Sequence, residues 1–220
     1  DQSRAHLVQR GMVYISQPTE NGTLYSKAEL TALHETCVKC GLPLYVDGAR
    51  LGYGMAAPTN DVTLKDLAEL SDIFYIGGTK VGALFGEAVV IANPAYRQDF
   101  RYIIKQRGGM LAKGRLLGIQ FETLFTDGLY FEISKHAVDL AMKIRKTCEE
   151  KGFAIQYESY TNQQFPILPN ELVVELRKKY AFYTWQKVDE DHTSVRFCTS
   201  WATDAENVEQ LLADIRAFGA

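Results

Sequence analysis

Three short apolar runs in this chain each end on residues that could do chemistry. "MVYIS" (12–16) is followed by Gln17 and Glu20. "PLYVDG" (43–48) ends on Asp47, with Arg50 close behind, and "DIFYIGG" (72–78) leads into Thr79 and Lys80. Apolar runs of this length, separated by helical stretches, read as strands of a parallel or mostly parallel sheet. Open sheets of that class bind ligands beyond the C-terminal ends of their strands, so an acid, an arginine and a lysine on neighbouring strand ends could face one crevice. Taken singly, each has an ordinary use: Asp47 as a turn cap beside Gly48, Arg50 in a surface ion pair, Lys80 as a solvated loop lysine. The four glycines of "IGGTKVGALFG" (76–86) weigh against the last, because glycine lets backbone come close to a ligand.

Several standard motifs do not fit. A GxxxxGK[ST] phosphate loop needs Ser or Thr after its lysine, whereas Lys80 precedes Val81. No GxGxxG follows a strand, and no G-x-S-x-G is present. The trio together suits pyridoxal phosphate better. That cofactor needs a lysine for a Schiff base and a carboxylate to keep its pyridine nitrogen protonated, and amino-acid substrates need an arginine for their carboxylate.

The elements that would position these groups are legible. Ser26 and Glu29 form a capping box ahead of "AELTALHETCVKC", and Gly41 stops that helix. A second helix spans about 63–70, and "EAVVIAN" (87–93) is a fourth strand. After Pro94 three helical stretches follow, at about 95–106, 110–126 and 129–151. Beyond Gly152 come the strands "AIQYES", "FPIL", "FYTWQKV" and "SVRFCTS", with the helix "PNELVVELRKKY" between them. A last helix, in "TDAENVEQLLADIRAF", has Thr203 and Glu206 as its expected capping box. The fold class is therefore α/β: a large domain over residues 1–126, then a small C-terminal α+β domain over 127–220. With about four strands where such sheets usually have five or six, the first domain is either small or begins outside this chain.

Composition bounds the rest. The 220 residues are 46% hydrophobic, enough for a sizeable core, and the net charge of −3 argues against nucleic acid as a partner. No apolar run approaches the roughly 20 residues that cross a bilayer, and the start lacks a signal-peptide pattern; a cytoplasmic protein is expected. Cys37 and Cys40 form a CxxC near the end of a helix, where no helix N-terminus lowers a thiol pKa. No second ligand pair accompanies them, so no metal is expected.

Four segments, "YISQPTENGTLYSKAEL", "LYVDGARLGYG", "DIFYIGGTKVGALFGEAVV" and "VRFCTSWAT", resemble the threonine aldolases of the β-eliminating lyase family, which are fold type I pyridoxal-phosphate enzymes. The resemblance implies Lys80 as the Schiff-base lysine and Asp47 as the pyridinium partner. It implies Arg196 as a carboxylate-binding residue and Arg50 as a contact to the substrate carboxylate or to the cofactor's neighbourhood, with Thr79 and Gln17 beside the cofactor. It implies retro-aldol cleavage of β-hydroxy-α-amino acids such as threonine, a small-molecule amino-acid substrate, and a homodimer or homotetramer. The family's phosphate cup and ring-stacking histidine have no counterpart here, which suggests that an N-terminal third is missing; His6, His34, His136 and His192 are poor substitutes. Leu111 in "RGGMLAKG" (107–114) replaces an arginine common in the family, which weakens the case for threonine itself. Two alternatives stay open: another pyridoxal-phosphate β-elimination on the same scaffold, and a catalytically incomplete fragment acting as an interaction module.

Overall fold

The computed structural model describes residues 8–219; His6 lies outside them. Four strands, β1 (Val13–Ser16), β2 (Leu44–Asp47), β3 (Ile73–Gly77) and β4 (Glu87–Ile91), form one sheet in the order β1-β2-β3-β4. The first three run parallel and β4 returns antiparallel on β3. Helices α1 (Lys27–Cys40), α2 (Leu51–Ala56) and α3 (Leu64–Leu70) connect the parallel strands. Ser26 caps α1 in the box expected from its spacing with Glu29, and Gly41 closes it in the left-handed conformation at φ 64°. Thr63 and Asp66 cap α3 in the same way.

Side chains alternate across these strands. Ile15, Leu44, Val46, Phe74 and Ile76 are buried in one apolar cluster. The opposite face carries Tyr14, Tyr45 and Tyr75. Tyr14 stacks on Tyr45 at 5.4 Å between ring centres, and Tyr45 lies 6.3 Å from Tyr75.

Three further helices follow: α4 (Phe100–Gln106), α5 (Arg115–Phe125) and α6 (Leu129–Glu150). The 22-residue α6 gives Tyr130, Ala137 and Val138 to the first apolar cluster. Its Leu140, Ile144 and Cys148 enter a second cluster with residues of the last third of the chain. There β5 (Gln163–Gln164), β6 (Ile167–Pro169) and β7 (Tyr183–Lys187) all pair antiparallel with β8 (His192–Cys198). Helices α7 (Asn170–Arg177) and α8 (Ala205–Ala217) complete the order.

Three local expectations are corrected. Gly114 sits at the N-cap of α5, so residues 110–113 are not helical. The stretch "AIQYES" makes only an isolated bridge, Ile155 with Pro166. The cap of α8 is Asp204, whose side chain accepts from the Glu206 amide, while Thr203 Oγ1 accepts from the Ser200 amide at 2.8 Å. His192 opens β8, with Nδ1 2.9 Å from Asp189 Oδ1.

Candidate active site

The ends of β2 and β3 meet because two glycines leave no side chain between them. A Cβ on Gly48 would stand 1.9 Å from the Tyr75 carbonyl oxygen, and one on Gly77 would stand 2.4 Å from that of Ala49. The Gly77 amide donates to the Gly48 carbonyl at 2.9 Å. Both glycines therefore serve backbone against backbone; for Gly77 this replaces the approach of a ligand suggested by the 76–86 stretch.

Asp47, the last residue of β2, is half-buried. Its Oδ1 accepts from the Tyr75 hydroxyl and, at 2.9 Å, from the Ala49 amide; its Oδ2 accepts from the Tyr14 hydroxyl. Burial opposes its charge. The two phenols, the Ala49 amide and the positive charge of Lys80 together outweigh that, and they hold the carboxyl below the usual aspartate range. The phenols respond in the opposite sense. The bond to Asp47, with burial, pushes Tyr14 up to about 12, and burial with the same bond raises Tyr75 further. Both stay protonated donors at neutral pH.

Lys80 occupies the turn after β3. Val81 is buried and its amide donates to the Gly78 carbonyl at 2.9 Å, while Lys80 itself is exposed. The Lys80 carbonyl accepts the Tyr53 hydroxyl from α2. Tyr130 of α6 accepts the Gly52 amide at 3.1 Å and donates to the Gly77 carbonyl at 2.9 Å, tying α2 to the same turn. Thr79 is exposed, with Oγ1 3.4 Å from the Gly86 carbonyl. Gln17 is buried, and its amide both donates to the Tyr25 carbonyl at 3.0 Å and accepts the Tyr25 amide at 2.9 Å. Its side chain closes the 17–25 loop.

The two arginines are connected. Arg50 Nη1 pairs with Glu20 Oε1 at 3.0 Å. The Glu20 carbonyl accepts Gln163 Nε2 at 3.2 Å, and Gln163 Oε1 accepts Arg196 Nη1 at 3.4 Å. The Arg196 guanidinium lies over the Tyr183 and Trp185 rings, 4.9 and 5.3 Å from their centres. Both arginines act on the Cys198 thiol, whose pKa burial nevertheless raises.

Asp47 and Lys80 are thus brought together, and Arg50 and Arg196 are joined by a chain of polar contacts. Tyr14, Tyr75, Glu20 and Gln163 complete the arrangement. Of these only Glu20 stood out in the sequence; the tyrosines are recognisable only once strand register puts them beside Asp47.

An α/β sheet with a lysine and an acid at its strand ends, followed by an α+β region, defines the fold type I class. A family model described as beta-eliminating lyase matches residues 1–170, and the chain belongs to that family. The low-specificity L-threonine aldolase of a Pseudomonas species is 32% identical over 216 residues, covering 96% of this chain and 61% of the relative. The structure of a threonine aldolase from Leishmania major superposes with a TM-score of 0.95 at 42% identity, over 98% of this chain and 63% of that one. A serine palmitoyltransferase of Sphingomonas wittichii, 14% identical, shares the fold alone, with a TM-score of 0.65 over 95% of this chain and 55% of that one. The chain therefore spans a little over three fifths of the length of the aldolases it matches.

Proposed function

We propose that the protein is a pyridoxal-phosphate-dependent carbon–carbon lyase that cleaves β-hydroxy-α-amino acids into glycine and an aldehyde. One observation carries the reading: Asp47, held ionised by three hydrogen bonds at the end of β2, feels the positive charge of the exposed Lys80 in the turn after β3. The donor set fits the cofactor, since a carboxylate kept charged can hold a proton on a pyridine nitrogen and an exposed amine can bond an aldehyde carbon. When bound, pyridoxal phosphate supplies the electron sink for the pair released as the substrate Cα–Cβ bond breaks.

The chain's own residues then have distinct tasks. Lys80 Nζ would hold the cofactor's aldehyde carbon, and Asp47 would keep the proton on its pyridine nitrogen. Arg196 and Arg50 would orient the substrate carboxylate and so fix how the substrate sits. Thr79, exposed beside Lys80, is the candidate to line the cofactor. Gln17 acts indirectly, by closing the loop that carries Glu20. Adding pyridoxal phosphate should give a visible absorption band that Lys80→Ala abolishes; a band of equal strength in that variant would overturn the assignment.

The beta-eliminating lyase description of the matching family favours a second reading, β-elimination to pyruvate and ammonia. Product analysis separates the two, because glycine forms only in the aldol cleavage. Threonine and phenylserine are the substrates to compare. The small-molecule partner is thus an amino acid. No described helix is long and apolar enough to cross a membrane. The cytoplasmic reading is supported by the four unpaired cysteines. Two apolar clusters, one around the parallel sheet and one around β8, support dividing the chain into domains near residue 126, with α6 shared between the clusters.

A further inference from the structure

Gln163 lies between the two arginines, and its side chain is fully buried. In the β5–β8 ladder it faces Cys198, and its amide is used at both ends. Oε1 accepts Arg196 Nη1 at 3.4 Å and faces the Cys198 thiol at 3.7 Å, while Nε2 donates to the Glu20 carbonyl at 3.2 Å. Glu20 in turn holds Arg50. One amide therefore touches the last strand of the chain and the loop after the first strand.

The segment carrying Gln163 is itself anchored. Arg145 of α6 is largely buried and donates to Glu149 at 2.8 Å, to Glu158 at 2.9 Å and to the Ser159 carbonyl at 3.1 Å. Its guanidinium lies 4.7 Å from the centre of the Tyr160 ring. Ser159 Oγ donates to the Gln163 carbonyl at 2.6 Å. The same Ser159 oxygen fills the space where Gly22 would carry a Cβ, only 2.0 Å away, so the 17–25 loop is seated directly on this segment. Gly22 also needs its positive φ of 77°.

We propose that Gln163 is a positioning residue that sets Arg196 against Arg50, so that the pair accepts one substrate carboxylate. The inference rests on the carboxylate-binding role given to these arginines above. The primary amide suits the task because it offers an acceptor to the guanidinium and a donor to a carbonyl at once. A carboxylate in its place would lose the donor and add a negative charge that competes with the substrate for Arg196. Arg196 Nε is buried with no hydrogen-bond partner among the described residues, so the bond from Nη1 to Gln163, together with the Tyr183 and Trp185 rings, sets how the guanidinium plane is turned.

The test compares glycine with glycinamide, which lacks the carboxylate, by calorimetric binding to the holoenzyme. Wild type should bind glycine the more tightly. Gln163→Met keeps the side-chain length without the hydrogen bonds and should weaken glycine by about tenfold, with glycinamide changed less than twofold. Gln163→Glu should weaken glycine at least as much. A variant that merely damages the fold weakens both ligands alike. If Gln163→Met and Gln163→Glu keep the wild-type glycine preference, the positioning role is overturned. A wild type with no preference would instead overturn the carboxylate-binding reading of the arginines.

Discussion

At the scale of single residues the environment of Asp47 controls its chemistry. Two phenols donate to one carboxylate, and their own pKa values rise in consequence. A folded pKa below the unfolded one adds stability that is present above about pH 4 and lost as pH falls through the folded value. Tyr75→Phe removes one of the bonds that lower it. The Asp47 titration, followed by carboxyl-carbon NMR, should then move upward and the carboxylate's contribution to stability should shrink. An unmoved titration would show that Tyr75 does not set this acidity. Asp47, Arg50 and Lys80 could be picked out in the sequence because each falls at, or a few residues beyond, the end of an apolar run. Tyr14 and Tyr75 were not, since tyrosines within strands look like ordinary β-formers until register places them next to the acid.

At the scale of elements, close approach decides what the crevice can be. Gly48→Ala would drive a Cβ into the Tyr75 carbonyl, and overpacking of this kind costs about 1–3 kcal/mol. Urea denaturation should show that loss as a lower midpoint, and an unchanged midpoint would contradict the packing. A Cβ at Gly118 in α5 would meet nothing within 4 Å beyond its own helix backbone, so Gly118→Ala should instead gain about 0.5–1 kcal/mol in the same measurement. The capping box of α1 could be read directly, because its spacing is local. Helix α2 could not. Its sequence "LGYGMA" holds two glycines, and its N-cap Arg50 makes no side-chain capping bond; it is held by packing, with Tyr130 accepting the Gly52 amide. The antiparallel direction of β4 was equally hidden, since an apolar strand reads the same in either direction.

At the scale of the molecule the site depends on segments far apart in the chain. Gln163 reaches Glu20, and Ser159 fills the space beside Gly22; such contacts leave no periodic trace in a sequence. A second long-range feature lies next to the lysine turn. Leu84 and Phe85 are tied to α5 by Gln120, whose Oε1 accepts the Leu84 amide at 2.7 Å, and Leu116 and Ile119 of α5 are exposed with them. Exposed apolar side chains here would suit an association surface, the place we propose for the homo-oligomer that the resemblance implies. Ile119→Lys should reduce the sedimentation coefficient of the assembly; a wild type that sediments as a monomer would contradict it. The central claim, that Lys80 carries the cofactor opposite Asp47, is tested most directly by reducing the pyridoxal-phosphate-loaded protein with borohydride and mapping the modified peptide by mass spectrometry. The account predicts the cofactor's mass on Lys80. Modification confined to other lysines, or no modification of the loaded protein, would contradict it.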